Sequence, residues 1–353
     1  MAGVTPAARV GAVRRLLSAE VLAPADIVDR GVTVRDVSRA NEVLLVRIDG
    51  GRGVALKSLP PDRCAAEMAV HDLAALRPGL RAVVPSLLAA DRDAGWIARD
   101  LVVPGTTLTA AHRSAHGYPL AFARAVGRAI GAVHCACSDD PPVPPAPLPW
   151  ALFALESTGP GSFAWDEAPL RAVLEAVADI DRHRAAFASA RASWTAECLM
   201  HGDMKWDNCL VADSGAPQTE VRIIDWELAG HGDPAWGVAG IVQEYLGFAA
   251  LAGLDVAGVR RTNAVELAAV GPLRLALRAF FGAYISTAMP SDVSTLAERA
   301  VRFAGVRLVQ TSLEHASAGG APTAAASALL ELALAMLEEP DDVAERLRLT
   351  SDP

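Results

Sequence analysis

The chain has 353 residues, long for a single core and comfortable for two lobes. With 52% hydrophobic and 21% charged residues it can bury a substantial interior, which excludes a disordered chain. A net charge of −9 lacks the basic face of a nucleic-acid-binding protein; acidity of this kind speaks to solubility rather than to chemistry. The five cysteines (Cys64, Cys135, Cys137, Cys198 and Cys209) are odd in number and form no CxxC pair, which fits a reducing cytoplasm. His134-Cys135-Ala136-Cys137 has no second ligand pair at zinc spacing and reads as structural. Met1–Arg15 lacks the apolar core of a signal peptide, and no run approaches the roughly 18 apolar residues of a membrane span. A soluble protein with no membrane or nucleic-acid partner is expected.

In chain order, Thr5–Leu22 reads as an amphipathic helix with Val10, Val13, Leu16 and Leu17 near helical spacing. Val43–Ile48 and Val54–Lys57 are short apolar runs joined by Asp49-Gly50-Gly51-Arg52-Gly53, a hairpin signal. Asp62 is placed to cap a helix that runs to about Leu76 and stops at Arg77-Pro78-Gly79. Two more strands are expected over Ala82–Ala89 and Gly95–Val103, split by Asp91-Arg92-Asp93. After Pro104-Gly105 the pattern turns helical. Phe122, Val126, Ile130 and Val133 form a buried stripe, and Gly127 and Gly131 on the same helix call for a closely approaching neighbour. Pro141–Pro149 reads as a stiff connecting loop on the surface, and from Val238 onward only helices are expected. The fold class is therefore α+β with two lobes: a small β-rich N-lobe over residues 1–102 and a larger, mostly helical C-lobe over 103–353.

The chemistry concentrates in two stretches. In His201-Gly202-Asp203-Met204-Lys205-Trp206-Asp207-Asn208 a turn carries a histidine and an aspartate, an asparagine follows five positions after that aspartate, and a strand begins at once. In Val221-Arg222-Ile223-Ile224-Asp225 an apolar strand delivers an aspartate at its end. Phosphoryl transfer asks for such a set, because its catalysis is mostly positioning and charge stabilisation. Asp203 is the candidate to accept a hydroxyl proton. Asn208 and Asp225 offer the oxygen ligands that Mg2+ takes alongside phosphate oxygens. His201 is placed to brace the turn through backbone hydrogen bonds.

These residues carry a resemblance. HGDMKWDN followed by IIDWE is similar to the aminoglycoside phosphotransferase-like branch of the protein-kinase-like fold, and Gly232-Asp233-Pro234-Ala235-Trp236 resembles that family's GDP turn. The resemblance implies ATP and Mg2+ as cofactors, Asp203 as catalytic base, and Asn208 and Asp225 as metal ligands. The family usually has a further aspartate three residues after that proline. Gly237 stands there, which puts the local helix start and its hydrogen bonds in question. The N-lobe is then expected to cradle the nucleotide, with Lys57 at the end of the second hairpin strand facing the phosphates and Glu67, ten residues on, pairing with it. No G-x-G-x-x-G precedes Lys57, so the phosphate-covering turn is assigned to Val37-Ser38-Arg39-Ala40-Asn41, with Ser38 approaching the nucleotide. Asp100-Leu101-Val102 is expected to be the hinge, Asp100 and Val102 offering backbone groups to adenine.

The acceptor is less legible. The wording of the motifs, the Ser-Arg-x-Asn turn and the late helix Val306–Glu314 resemble kinase-like proteins of lanthipeptide and thioamitide biosynthesis. That implies phosphorylation of Ser or Thr in a precursor peptide, beside a partner lyase or cyclase. A small-molecule kinase acting on an antibiotic, sugar or amino alcohol is the alternative. A catalytically silent nucleotide-binding scaffold is a third reading, although such a scaffold needs none of Lys57, Glu67, Asp203, Asn208 and Asp225. The choice between ATP and GTP has no sequence signal.

Overall fold

In the computed structural model of the protein, the described residues are 5–39, 41–136, 143–154, 181–212, 218–257, 271–319 and 324–349. Helix α1 (Pro6–Ser18) begins where Thr5 accepts a hydrogen bond from Ala8 N at 3.2 Å and Pro6 occupies the first turn. Its inward face is Ala12 and Leu16, flanked by the partly buried Val13 and Leu17. Val10 departs from the expected stripe and is 56% exposed. It lies two residues from Ala12, roughly 200° around the helix.

Five strands follow: β1 (Val32–Asp36), β2 (Val43–Ile48), β3 (Gly53–Ser58), β4 (Leu87–Asp91) and β5 (Trp96–Asp100). They form one antiparallel sheet in the order β1-β2-β3-β5-β4. The expected hairpin is present, with Leu45 opposite Ala55 and Gly50 at a φ of 67° in its turn. Strand β1 went unanticipated; only Val34 of its five residues is buried, so its alternation is weak. The strand expected over Ala82–Ala89 forms only from Leu87. Ahead of it Pro78–Arg81 wind into the single turn α3, and Val83 and Val84 sink into the lower lobe's core. Helix α2 (Pro61–Leu76) starts one residue before Asp62, so Asp62 lies in its first turn and is not its cap. A carboxylate there still complements the helix dipole.

The lower lobe contains β6 (Pro104–Thr107), α4 (Leu108–Ala115), α5 (Leu120–Cys135), α6 (Asp181–Ala192), β7 (Cys198–Met200), β8 (Cys209–Ala212), β9 (Glu220–Ile223) and β10 (Gly230–Gly232). Helices α7 (Pro234–Ala257), α8 (Gly271–Ala288), α9 (Val293–Gly319), α10 (Ala324–Glu338) and α11 (Pro340–Arg346) complete it, so the described residues after Val238 are helical or in short turns. Two small sheets, β6-β8-β9 and β7-β10, carry the loops of the candidate site. Val126, Ile130 and Val133 of α5 are fully buried, and Phe122 is partly buried. The neighbour that Gly127 and Gly131 admit is α8: a Cβ on Gly127 would stand 2.3 Å from Phe280 O, and one on Gly131 2.6 Å from Thr287 Cβ.

Of the proline-rich connector, residues 141 and 142 lie outside the described residues. The rest is pinned to β10, with Ala146 N donating to His231 O and His231 N to Pro144 O, each at 2.9 Å. His134 binds the Tyr284 hydroxyl through Nδ1 at 2.9 Å, while Cys137 lies outside the described residues. Among the described residues no helix is long and apolar enough to cross a membrane.

Candidate active site

Strand β3 turns Lys57 inward, where its side chain is 2% exposed. An ammonium so buried needs carboxylates, and it has three. Nζ stands 3.1 Å from Glu67 Oε2 and 2.8 Å from Glu227 Oε2, and it also contacts Asp225 Oδ1. Burial pulls the Lys57 pKa down, but Glu67 and Asp225 more than offset it and leave it above its ordinary value. Glu67 is fully buried on α2 and takes a second cation, Arg99 Nη1, at 2.9 Å. Burial would raise the Asp225 carboxyl; Lys57 beside it holds it below its ordinary value instead.

The turn from His201 to Asn208 links β7 to β8. Gly202 has a φ of 84°, and a Cβ there would lie 2.3 Å from Leu228 O, so both conformation and space demand glycine. His201 Nε2 lies 2.9 Å from Ile224 O, and Asp203 N donates to His201 Nδ1 at 3.3 Å. That pairing requires the neutral tautomer with its proton on Nε2, and burial lowers the His201 pKa in the same sense. The expected brace is thus present, between the turn and the end of β9. Asn208 Nδ2 donates to Asp203 O at 2.8 Å and reaches Asp203 Oδ2 at 3.4 Å, and Asn208 O accepts from Ile224 N at 3.0 Å. Lys205 Nζ holds Asp203 Oδ2 at 2.5 Å. Asp203, Asn208 and Asp225 therefore share one cleft, and Lys57 ties Asp225 to the upper lobe.

The donor set fits Mg2+. The Asn208 amide nitrogen is engaged by Asp203, which leaves Oδ1 as its coordinating atom, and Asp225 supplies a carboxylate oxygen beyond the one on Lys57. Two hard oxygen ligands suit an ion that completes its shell from water and phosphate. Among the described residues no group of three or more His, Cys, Asp or Glu side chains is placed to hold a metal by itself.

The remaining predicted residues are distributed unevenly. Ser38 sits in the β1–β2 turn, but its hydroxyl oxygen accepts from Val43 N at 2.9 Å and its own N donates to Asp36 Oδ1 at 2.8 Å. It shapes the turn, whose Ala40 lies outside the described residues. Contact with the cleft comes from its neighbours: Asn41 Nδ2 donates to Glu227 Oε2 at 2.5 Å, and Arg39 Nη1 pairs with Asp207 Oδ2 at 3.0 Å. At the expected hinge, Asp100 N donates to Ser86 O at 2.9 Å and Leu101 N to Gly53 O at 3.0 Å. Asp100, Leu101 and Val102 line a cavity of about 320 Å3 with Pro85 and Arg222.

Several residues at the site were not singled out from the sequence. Glu227, two positions after Asp225, joins Lys57, Asn41 and Arg63, the last with Nη1 at 2.6 Å. Helix α9 contributes Arg307, whose Nη2 donates to Met204 O at 2.8 Å and lies 3.8 Å from Asp203 Oδ1. Asp203 and Arg307 line a cavity of about 290 Å3 with Arg63, Trp150, Trp236 and Gln310. Pro147, Leu148 and Pro149 wall it too, so the connector read as a surface loop closes this pocket. Helix α7 passes directly behind the turn, where a Cβ on Gly240 would meet Met204 O at 2.3 Å. The glycine at 237 also has a local reason, because a Cβ there would lie 2.8 Å from His134 Nε2. The helix start is held by Asp233, which accepts from Ala235 N at 2.8 Å and Thr195 N at 2.9 Å and pairs with Arg299.

No curated protein matches the chain. Among solved structures, a choline/ethanolamine kinase family protein from Mesorhizobium loti is 16% identical, with 96% of this chain and 98% of that chain covered at a TM-score of 0.56. A Plasmodium vivax ethanolamine kinase is 12% identical, covering 96% and 91% at 0.57. An amicoumacin kinase in complex with AMP-PNP, Ca2+ and Ami is 15% identical, covering 95% of each chain at 0.55. These likenesses establish the protein-kinase-like fold. The model of the phosphotransferase enzyme family matches residues 33–275, more than half of the chain and the whole of the cleft from Lys57 to Asp225, so the chain belongs to that family of phosphotransferases.

Proposed function

We propose that the protein transfers the γ-phosphoryl group of ATP to a hydroxyl seated beside Asp203. The observation that carries this is the continuous chain of contacts from Asp203 through Asn208 and Ile224 to Asp225, and from Asp225 through Lys57 to Glu67. Lys57 is positioned for the α and β phosphates, and Glu67 and Arg99 keep it from swinging away. The nucleotide lies under the Ser38 turn, with adenine at the hinge. Since the Asp100 amide is taken by Ser86, the hinge presents the Val102 amide and carbonyl oxygens to the base. Asn208 and Asp225 would hold Mg2+, which would supply charge neutralisation to the phosphates when bound. Asp203 accepts the hydroxyl proton as the new O–P bond forms and the bond to the bridging oxygen of ADP breaks.

Two acceptors have support. The pocket of about 290 Å3 suits a small alcohol, as in the kinases of similar fold named above. A Ser or Thr side chain of a precursor peptide is favoured by a different observation: the Val306–Glu314 segment, similar to peptide kinases, supplies Arg307 and Gln310 to that pocket. A lyase or cyclase would then act on the phosphorylated product. Asp203→Asn tests the shared chemistry. Transfer should vanish while stabilisation of the fold by Mg-ATP persists, and near-normal turnover would remove Asp203 from the role. Mass spectrometry of a Ser/Thr-rich leader-core peptide and of an aminoglycoside, each with Mg-ATP, separates the acceptors by which gains roughly 80 Da, one phosphoryl group.

A further inference from the structure

We infer that Arg307 selects the acceptor, and that this acceptor carries a carboxylate or carbonyl oxygen close to the hydroxyl that is phosphorylated. The inference deepens the phosphotransfer reading and rests on its placing the acceptor in the pocket beside Asp203. Arg307 is 6% exposed and lines that pocket. Its Nη2 is occupied by Met204 O, whereas its buried Nε has no hydrogen-bond partner among the described residues. Nε is walled off, so the donors offered to an incoming oxygen are the terminal N–H groups of the guanidinium, of which Met204 O takes one. Nη2 stands 3.8 Å from Asp203 Oδ1, so an oxygen taken by the guanidinium and a hydroxyl taken by the base belong to one small fragment.

The same pocket is poorly built for an ammonium. The guanidinium carbon of Arg307 lies 5.1 Å from the centre of the Trp236 ring, so this protein's own cation already occupies one of the two tryptophan rings that line the pocket. Glu227 is committed to Lys57, Asn41 and Arg63. Arg63 and Arg307 add positive charge to the lining, and Gln310 Nε2 is engaged by Glu314 at 3.0 Å. Among the described residues the only carboxylate lining the pocket is Asp203, already paired with Lys205. A hydroxy acid or a serine residue flanked by its peptide carbonyls meets these demands; an amino alcohol does not.

The test uses the full chain with Mg-AMP-PNP and measures binding of glycerate, N-acetyl-L-serine N-methylamide, ethanolamine and choline by calorimetry, followed by phosphorylation of each with Mg-ATP. The two oxygen-bearing probes should bind at least about 10-fold more tightly than the two cations, the worth of one charge-assisted hydrogen bond. Arg307→Lys should weaken their binding by roughly 10- to 100-fold while the Kd for Mg-AMP-PNP stays within about twofold. Ethanolamine or choline binding as tightly as either oxygen-bearing probe would overturn the inference. So would failure of both oxygen-bearing probes to bind. An Arg307→Lys protein that loses turnover on all acceptors alike, with Kd unmoved, would show that Arg307 only braces Met204 and would also overturn it. Should Arg307→Lys fail to fold, the ranking of probes on the wild-type protein decides. Binding of the oxygen-bearing probes without any phosphorylation would support this selectivity and count against the phosphotransfer reading.

Discussion

Replacing Lys57 by methionine removes a cation shared by three carboxylates while keeping the length of the side chain. Breaking a buried ion pair by deleting one partner typically costs about 3–5 kcal/mol. Here the figure is smaller, because Glu67 retains Arg99 at 2.9 Å, and Glu227 retains Asn41 at 2.5 Å and Arg63 at 2.6 Å. Asp225 bears the main loss, and its side chain is 34% exposed, so water recovers part of it. A destabilisation of about 2–3 kcal/mol at pH 7 is expected, read by urea unfolding monitored through the buried Trp226 and Trp236. The pH dependence follows from the direction of the Asp225 shift. In the wild type its depressed pKa contributes stability above its unfolded value of about 3.8, lost as pH falls through the folded value. In the variant, burial without Lys57 raises that carboxyl, so its penalty sets in above about pH 4 and grows until it is fully ionised. The deficit of Lys57→Met should therefore shrink as pH falls from 7 toward 4. A loss below about 1 kcal/mol at pH 7, or a deficit unchanged across that range, would refute the shared-cation account.

Asp225→Ala should abolish the gain in unfolding temperature that Mg-ATP confers on the wild type; an undiminished gain excludes Asp225 as a metal ligand. Gly240→Ala places a Cβ 2.3 Å from Met204 O and forces the turn to move by about 1 Å, one residue from Asp203. Turnover should fall by roughly 100-fold with little change in ATP affinity, and a variant within a few-fold of wild type would show that the turn tolerates the shift. Burial pushes the Glu244 carboxyl up to about 7 in a setting that includes Arg307, Asp207, Lys205 and Asp203. Below about pH 4.5 both folded and unfolded chains keep its proton. Stability is lost as pH rises to 7, where only the unfolded chain ionises freely. Glu244→Gln should thus gain on the wild type between pH 4.5 and 7, by up to about 3 kcal/mol, and a pH-independent difference contradicts the shift.

The sequence by itself determined which residues make up the candidate site. Asp203, Asn208 and Asp225 lie in short turns at strand ends, where spacing along the chain translates almost directly into spacing in space, and the chemistry restricts which side chains serve. Lys57 and Glu67 were legible for a related reason, since a strand followed at once by a helix brings them within 3.1 Å across ten residues. Local patterning likewise exposed the hairpin and the α5 stripe, but not β1, whose burial alternates too weakly to show. Only the tertiary structure decided the rest. The Asn41–Glu227 bond spans 186 positions and the Arg307–Met204 bond 103, and contacts so distant leave no period or spacing in the chain. The same holds for the connector that walls the pocket and for Gly240 behind the His201–Asn208 turn, which packing alone explains. The acceptor selectivity inferred for Arg307 belongs to that second group, because it depends on which of its donors remain open once the lobe has folded around them.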